Sequence, residues 1–237
     1  YTLLFALTAQ YAVNPTLYPK LPYDPVKDYA HISLLANAPY LLVVHPSVPA
    51  KSVKELIALM KARPGQLAYA SSGNGSGAHL AGEMLRSLAH VEMTHVPYKG
   101  SGQAIQDVLA GQGQVFITTP PSVMGHVQSG KLKALAVTSK TRHPMMPNVP
   151  TAAEAGLPGF ELESWVALYA PAGTPAPIVN KLTQDVKKAL ELPEAKQRAD
   201  AAGIELRYLN PQGTDALLKK EIALMQKAIK TANIKLD

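Results

Sequence analysis

The chain has 237 residues, of which 47% are hydrophobic and 17% are charged, and its formal net charge is +6. This length and balance are those of an ordinary globular protein with enough apolar side chains for one large core or two smaller ones. The absence of cysteine excludes disulfides and thiol catalysis, no apolar run approaches the roughly 18 residues of a membrane span, and the scattered lysines do not form the basic cluster expected of nucleic-acid binding.

Apolar runs and helical patterns alternate along the chain. Strands are predicted, in chain order, at residues 2–7, 40–44, 67–71, 93–96, 115–118, 132–138, 161–169 and 204–208. Helices are predicted at residues 53–62, 78–89, 102–110, 122–129, 177–190, 194–201 and 214–233. This short alternation predicts an α/β fold with mainly parallel sheets.

The opening run, YTLLFALTA, is apolar without the polar alternation of a half-exposed strand. Such a strand is expected to be central in its sheet, with a neighbour on each side. We therefore expect that the protein continues upstream of this run, and that the upstream part carries a targeting signal.

Two proline-bounded strands, Tyr40–Val44 and Glu163–Ala170, bracket a block rich in strand–helix units. A block that is entered and left by extended strands is how an inserted domain joins its host. The sequence therefore predicts two lobes, one made of residues 1–40 and 164–237 and the other of residues 41–163. A cleft between two α/β lobes is a common place for a small ligand.

A glycine- and serine-rich turn, Ser71–His79, lies between a predicted strand and a predicted helix. It fits the G-x-G-x-x-A variant of a dinucleotide motif, but the acidic residue that should close the next strand is absent. A Walker lysine and the spacing of a nucleophile elbow are absent as well, and a purely structural turn is the remaining alternative. The favoured interpretation is an anion site, in which backbone N–H groups, the hydroxyls of Ser71, Ser72 and Ser76, and the helix N-terminus hold a carboxylate.

Two further loops repeat this layout. Tyr98–Gly102 and Thr118–Ser122 each follow a predicted strand and precede a predicted helix, and both are rich in small or hydroxyl side chains and free of carboxylates. Consecutive loops of this kind meet at the carboxyl edge of a sheet, where α/β proteins bind ligands. The sequence therefore predicts a ligand site at this edge.

The sequence offers few catalytic or metal-binding groups. Its seven histidines show no repeated metal spacing, and the pair His79 and Glu83 lacks a third ligand. No carboxylate pair and no nucleophile with a base at motif spacing is found. We therefore expect no catalysis, no metal and no cofactor, with two alternatives left open: an enzyme that uses the same cleft, and a sensor whose closed form signals to a partner protein.

Several motifs, in this order and spacing, resemble the substrate-binding proteins of tripartite tricarboxylate transporters, also called Bug receptors. They are the first 85 residues through SSGNGSGAHLAGEML, then THVPYKGSGQAIQDVLAGQ, GKLKALAVTS and VPTAAEAGLPGFELESWVALYAPAGTP. The resemblance implies a type II periplasmic-binding-protein fold whose two lobes are joined by crossing strands, with the first strand–loop–helix unit missing from this chain. It also implies a monomeric periplasmic receptor, exported by an upstream signal peptide, that closes on a small carboxylate and delivers it to the membrane subunits of the transporter.

The resemblance carries a set of ligand-binding positions onto this chain. They are Thr8, Gln10, Tyr11, Ser71, Ser72, Gly73, Asn74, Gly75, Ser76, Ala78, His79, Tyr98, Gly100, Thr118 and Thr119. The chain departs from the family at some of them. Many members have an aspartate near Thr118 and Thr119, where a ligand amine could bind, and Gln10 and Tyr11 stand where Thr and His are common. These departures favour a carboxylate ligand without an amine.

Overall fold

Strands and helices alternate in the computed structural model, which describes residues 2–18 and 20–231. The strands are β1 (Leu4–Leu7), β2 (Tyr29–Pro39), β3 (Leu41–Val44), β4 (Ala68–Ser71), β5 (Thr94–Pro97), β6 (Val115–Thr118), β7 (Lys133–Val137), β8 (Glu163–Pro171) and β9 (Glu205–Leu209). The helices are α1 (Asn14–Leu17), α2 (Val53–Ala62), α3 (Gly77–Ala89), α4 (Ser101–Leu109), α5 (Pro120–Gln128), α6 (Ala176–Glu191), α7 (Pro193–Ala202) and α8 (Pro211–Thr231). A π-helical segment (Ala9–Val13) precedes α1.

The chain forms two compact units. Of the described residues, the first unit contains those up to Ala38 and those of 164–231, and the second contains Pro39–Glu163. The chain therefore passes from one unit to the other at the end of β2 and at the start of β8.

The sheet of the second unit has the strand order β5-β4-β6-β3-β7. Strands β5, β4 and β6 are parallel, whereas β3 runs antiparallel to β6 and β7. Ser71 pairs with Pro97, and Leu41 pairs with both Thr118 and Val137. The carboxyl ends of β4, β5, β6 and β7 therefore share one edge of the sheet with the amino end of β3.

The core of the second unit explains why its strands are so apolar. All four residues of β3 and of β6 are buried, as expected for strands that are covered on both faces. Helix α2 packs through its buried Val53, Leu56 and Met60. It begins with a capping box, in which the Ser52 hydroxyl accepts from the Glu55 N–H and the Glu55 carboxylate accepts from the Lys51 N–H.

The first unit contains a sheet with the order β1-β8-β2-β9. Strand β1 is antiparallel to β8, and β2 is antiparallel to β9. Helix α8 packs against the π-helical segment and α1. Tyr11 of the π-helical segment and Tyr169 of β8 are buried and stacked with ring centroids 4.2 Å apart. Burial raises the pKa of both phenols well above the ordinary value, so both are neutral at physiological pH.

One expectation about the sheets was wrong, and one strand was missed. The prediction of mainly parallel sheets fails because β3 enters the second sheet antiparallel, and because the β1–β8 and β2–β9 pairs are antiparallel. In the described part of the chain β1 lies at an edge of its sheet, with 65% of Phe5 exposed, and a central position for this strand in the longer protein stays a prediction. Strand β2 was not predicted at all, since buried polar residues such as Ser33 and Asn37 interrupt its apolar pattern.

The described residues contain neither a candidate membrane-spanning helix nor a candidate metal-binding cluster. Within residues 2–18 and 20–231, no helix combines the length and hydropathy needed to cross a membrane. In the same ranges, no group of three or more histidine, aspartate or glutamate side chains is placed to hold a metal ion.

Candidate ligand-binding site in the second unit

The loops that follow β4 and β5 are in direct contact at the carboxyl edge of the second sheet. The Tyr98 N–H donates to the Ser71 carbonyl oxygen at 3.0 Å. A Cβ placed on Gly73 would lie 3.0 Å from the Tyr98 carbonyl oxygen, so the β4–α3 loop leaves no room there for a larger residue. Gly100, also predicted for the site, is the N-cap residue of α4 and has φ +142°, and a Cβ placed on it would meet nothing within 4 Å. The structure thus brings the first two predicted loops together.

The β4–α3 loop is held in shape by its own residues. The Gly73 N–H donates to the Ser71 hydroxyl at 3.1 Å, and the Ser76 N–H donates to the Gly73 carbonyl at 3.1 Å. The Gly75 N–H donates to Nδ1 of His79 at 3.2 Å. Gly73 and Gly75 have φ values of +121° and +75°, a region that glycine enters without the steric cost that other residues meet. The serine and glycine content of the loop therefore specifies one conformation.

Helix α3 begins at this loop and presents unpaired donors. The Ser76 hydroxyl caps the helix by accepting from the His79 N–H at 3.2 Å. Within the described ranges, the backbone N–H groups of Asn74, Gly77 and Ala78 form no hydrogen bond to a protein acceptor. Free N–H groups at the positive end of a helix are suited to an anion.

Several predicted site side chains stabilise the loop. Ser71 is fully buried, and its hydroxyl lies 2.7 Å from Nε2 of His95. The hydroxyl of Ser76 is occupied as the helix cap, while Ser72 is half-buried. The Oδ1 atom of Asn74 is buried without a hydrogen-bond partner among the described residues. Direct contact of these side chains with a ligand stays a prediction.

The β6–α5 loop contributes the neutral side chains that the sequence predicts. Thr118 is buried at the end of β6, and the half-buried Thr119 occupies the N-cap position of α5 without a side-chain cap bond. Since β6 is parallel to β4, both threonines lie at the same edge as the β4–α3 loop. Burial and a hydrogen bond to the Asp107 carboxylate raise the pKa of Tyr98, so this phenol is also uncharged.

Two residues near the site were missed by the sequence analysis. Tyr40 lies against the first residue of α3, since a Cβ on Gly77 would be 1.8 Å from the Tyr40 hydroxyl oxygen. His95 stacks on His79, with ring centroids 4.3 Å apart and an interplanar angle of 4°. His95 is placed beside the loop by the strand register, in which it pairs with Tyr69 on the adjacent parallel strand β4.

The remaining predicted residues belong to the first unit. The buried hydroxyl of Thr8 accepts from the Trp165 N–H at 2.7 Å. Gln10 is exposed, and its Oε1 accepts from the Leu7 N–H at 3.1 Å. Tyr11 is 1% exposed and stacks on Tyr169. These contacts stabilise the first unit, and a ligand-binding role for the three residues stays a prediction.

The fold and the loop edge together define the class of protein. Residues 1–234 match the sequence profile of the family described as "Tripartite tricarboxylate transporter family receptor". The chain belongs to this family. This confirms the resemblance inferred from the motifs.

Relatives and solved structures agree with this assignment. The "UPF0065 protein in tcbD-tcbE intergenic region" of Pseudomonas sp. (strain P51) is 37% identical over 92% of this chain. The structure "R. palustris Rpa4515 with adipate" is 35% identical, with a TM-score of 0.95, and the match covers 99% of this chain and 79% of the other. For "MatC (Rpa3494) from Rhodopseudomonas palustris with bound malate" the identity is 32% and the TM-score 0.89, with coverage of 96% and 78%. This chain covers 65% of the length of the Pseudomonas relative.

Proposed function

We propose that this protein is a solute receptor that binds a small organic acid and delivers it to a membrane transporter of the tripartite tricarboxylate type. The observation that carries the proposal is the start of α3, where the fixed β4–α3 loop leaves the N–H groups of Gly77 and Ala78 without a protein acceptor in the described part of the chain. A carboxylate placed there would accept both hydrogen bonds and interact favourably with the helix dipole.

The chemistry of the neighbouring loops supports an acid without an amine. None of the residues 70–79, 97–103 and 118–122 is an aspartate or a glutamate, so these loops contain no anionic group to attract an ammonium ion. Thr118 and Thr119 add neutral hydroxyls. The adipate and malate in the two similar structures are also amine-free dicarboxylates. The proposed ligand is therefore a dicarboxylate of similar size.

The proposal extends to the organisation of the whole chain. We propose that residues 1–40 with 164–237 and residues 41–163 are the two lobes of the receptor, and that Thr8, Gln10 and Tyr11 are further ligand contacts. The two compact units support this division. We also propose that the protein acts in the periplasm, as a monomer, and without chemical conversion of the ligand. The description of the family as a transporter receptor supports the receptor role.

Calorimetric titration of the full chain tests the proposal. Adipate, malate, glutamate and adipamide would be compared, since adipamide keeps the length of adipate but lacks its charges. We expect binding of the dicarboxylates and none of the diamide. Binding of glutamate alone would contradict the interpretation of Thr118 and Thr119, and consumption of a bound acid, followed by NMR, would contradict a receptor role.

A further inference from the structure

A stack of three rings lies next to the proposed ligand loop. The imidazoles of His79 and His95 are nearly parallel, with ring centroids 4.3 Å apart. The ring of Tyr69 stacks on His95, with centroids 4.7 Å apart and an interplanar angle of 17°. His79 is 4% exposed. The rings come from α3, β5 and β4, so the stack connects the elements whose ends form the site.

Each histidine of the stack holds a different glycine of the loop. His79 accepts the N–H of Gly75 directly, through Nδ1 at 3.2 Å. His95 acts through Ser71, whose hydroxyl lies 2.7 Å from Nε2 of His95 and accepts the Gly73 N–H at 3.1 Å. The two positive-φ turns that aim the loop backbone are therefore fixed by imidazole nitrogens.

The bond to Gly75 constrains the protonation of His79. A backbone N–H is always a donor, so Nδ1 of His79 accepts only while it carries no proton. A protonated ring would direct an N–H against the Gly75 N–H, and the loop would lose this bond. His95 is less constrained, because the Ser71 hydroxyl either donates to Nε2 or accepts from it.

The charged side chains around the stack that follow are each engaged with another group. On α3, Glu83 accepts from the Tyr69 hydroxyl at 2.6 Å and is paired with Arg86 at 2.7 Å, so its charge is already balanced. Glu92, which precedes β5, also interacts electrostatically with Arg86. Strand β6, which also packs on α3, has no ionisable side chain. The Asp107 carboxylate of α4 is bonded to Tyr98 of the adjacent β5–α4 loop.

We propose that His79 and His95 are positioning residues of the ligand loop, and that the loop loses its binding geometry when His79 is protonated. This inference rests on the proposed function, since it concerns the same carboxylate site. A free imidazole gains its proton at about pH 6.5. If the binding-competent loop excludes that proton, the affinity falls as the pH falls, because part of the free protein then carries a protonated His79.

Three variants separate positioning from simple structural support. His79→Asn keeps an acceptor near the position of Nδ1 but does not titrate, whereas His79→Phe keeps a ring for the stack but has no acceptor. His90→Asn is the matched control, because His90 is an exposed histidine at the other end of α3 with φ +52°, a conformation that asparagine tolerates. Affinity for adipate would be measured by calorimetry at about pH 7.5 and about pH 5.5.

The comparison with His79→Asn cancels the titration of adipate itself. We expect the wild type and His90→Asn to lose more affinity than His79→Asn on acidification, and His79→Phe to bind weakly at both pH values. Equal losses in the wild type and His79→Asn would overturn the proposal, even if the variants melt at lower temperatures.

A measurement without ligand separates this inference from the proposed function. Amide hydrogen exchange of residues 72–77 would be compared between the wild type and His79→Asn at each pH. Exchange that is faster in the wild type than in His79→Asn at the acidic pH only would support the positioning role. This result would support it even if no organic acid binds, in which case the proposed function is wrong. Identical exchange in both proteins at both pH values would overturn the positioning role.

Discussion

The ring of Tyr40 lies against Gly77, so closely that a Cβ on Gly77 would be 1.8 Å from the Tyr40 hydroxyl oxygen and 2.8 Å from Cζ. Tyr40 is 7% exposed and directly precedes β3, whose amino end shares the edge with the β4–α3 loop. The tyrosine therefore fixes the point at which α3 begins. It also explains the glycine at the first helical position, whose N–H is one of the proposed ligand donors.

Replacing Gly77 by alanine should destabilise the protein. The added methyl group has no space beside the buried Tyr40 ring, and overpacking of this kind costs about 1–3 kcal/mol. Gly102, near the start of α4, is the matched control because a Cβ there meets nothing within 4 Å. Gly102→Ala should be neutral or stabilising by up to about 1 kcal/mol. Urea unfolding measures both, and equal stability of the two variants would contradict the contact.

The Thr138→Val variant should be clearly less stable than the wild type, although the two side chains have nearly the same size. Thr138 is 1% exposed, and its hydroxyl accepts from the Tyr40 N–H at 2.8 Å and bonds to the Leu162 carbonyl. It thus joins the segments by which the chain enters and leaves the second unit. Leaving these buried groups unpaired costs about 1–3 kcal/mol. Thr94→Val, which removes an exposed hydroxyl bonded to the Gly65 carbonyl, serves as the control and should cost under about 1 kcal/mol.

His31 should make the first unit less stable in acid. Burial lowers its pKa and outweighs the attraction of the Asp215 carboxylate 3.6 Å away. The unfolded chain takes up this proton below about pH 6.5, whereas the folded chain resists it, so stability falls as the pH falls through that range. In urea unfolding, the free energy by which the wild type is more stable than His31→Gln should therefore be smaller at about pH 5.5 than at about pH 7.5. A larger difference in acid would contradict the burial argument.

Gly75→Ala and Gly65→Ala form a pair that separates strain from function. The two glycines have φ values of +75° and +70°, so alanine meets a similar backbone cost, about 1–2 kcal/mol, at each. Gly75 lies in the ligand loop, whereas Gly65 precedes β4 and lies at its amino end. Both variants should lose similar stability in urea, but only Gly75→Ala should lose affinity for adipate. Equal affinities would reduce the loop to a structural turn.

The sequence predicted the elements whose signals are local. Helix α2 was predicted with its observed bounds because a capping box precedes it, and β6 was predicted likewise because all four of its residues are apolar or terminal to an apolar run. The antiparallel direction of β3 was not predicted, since a strand's direction depends on which neighbours it meets. The predicted end of the last helix, residue 233, lies outside the described residues.

In the candidate site, too, only the features with a local sequence signal were predictable. The glycines of the β4–α3 loop are visible in the sequence because each marks a backbone conformation. Tyr40 and His95 were missed because their contacts depend on register: the Tyr40 ring reaches α3 across the sheet edge, and His95 meets His79 only because β5 lies beside β4. Side chains that act across neighbouring strands leave no pattern along one segment.

The most direct test of the carboxylate site is an NMR titration of the isotopically labelled full chain with adipate, in which each backbone amide is followed separately. The proposed site at the start of α3 requires that the Gly77 and Ala78 amide protons shift downfield and become slower to exchange as adipate is added, while amides at the amino ends of β4 and β6 stay unchanged. Saturable binding that leaves the Gly77 and Ala78 amides unaffected would contradict it.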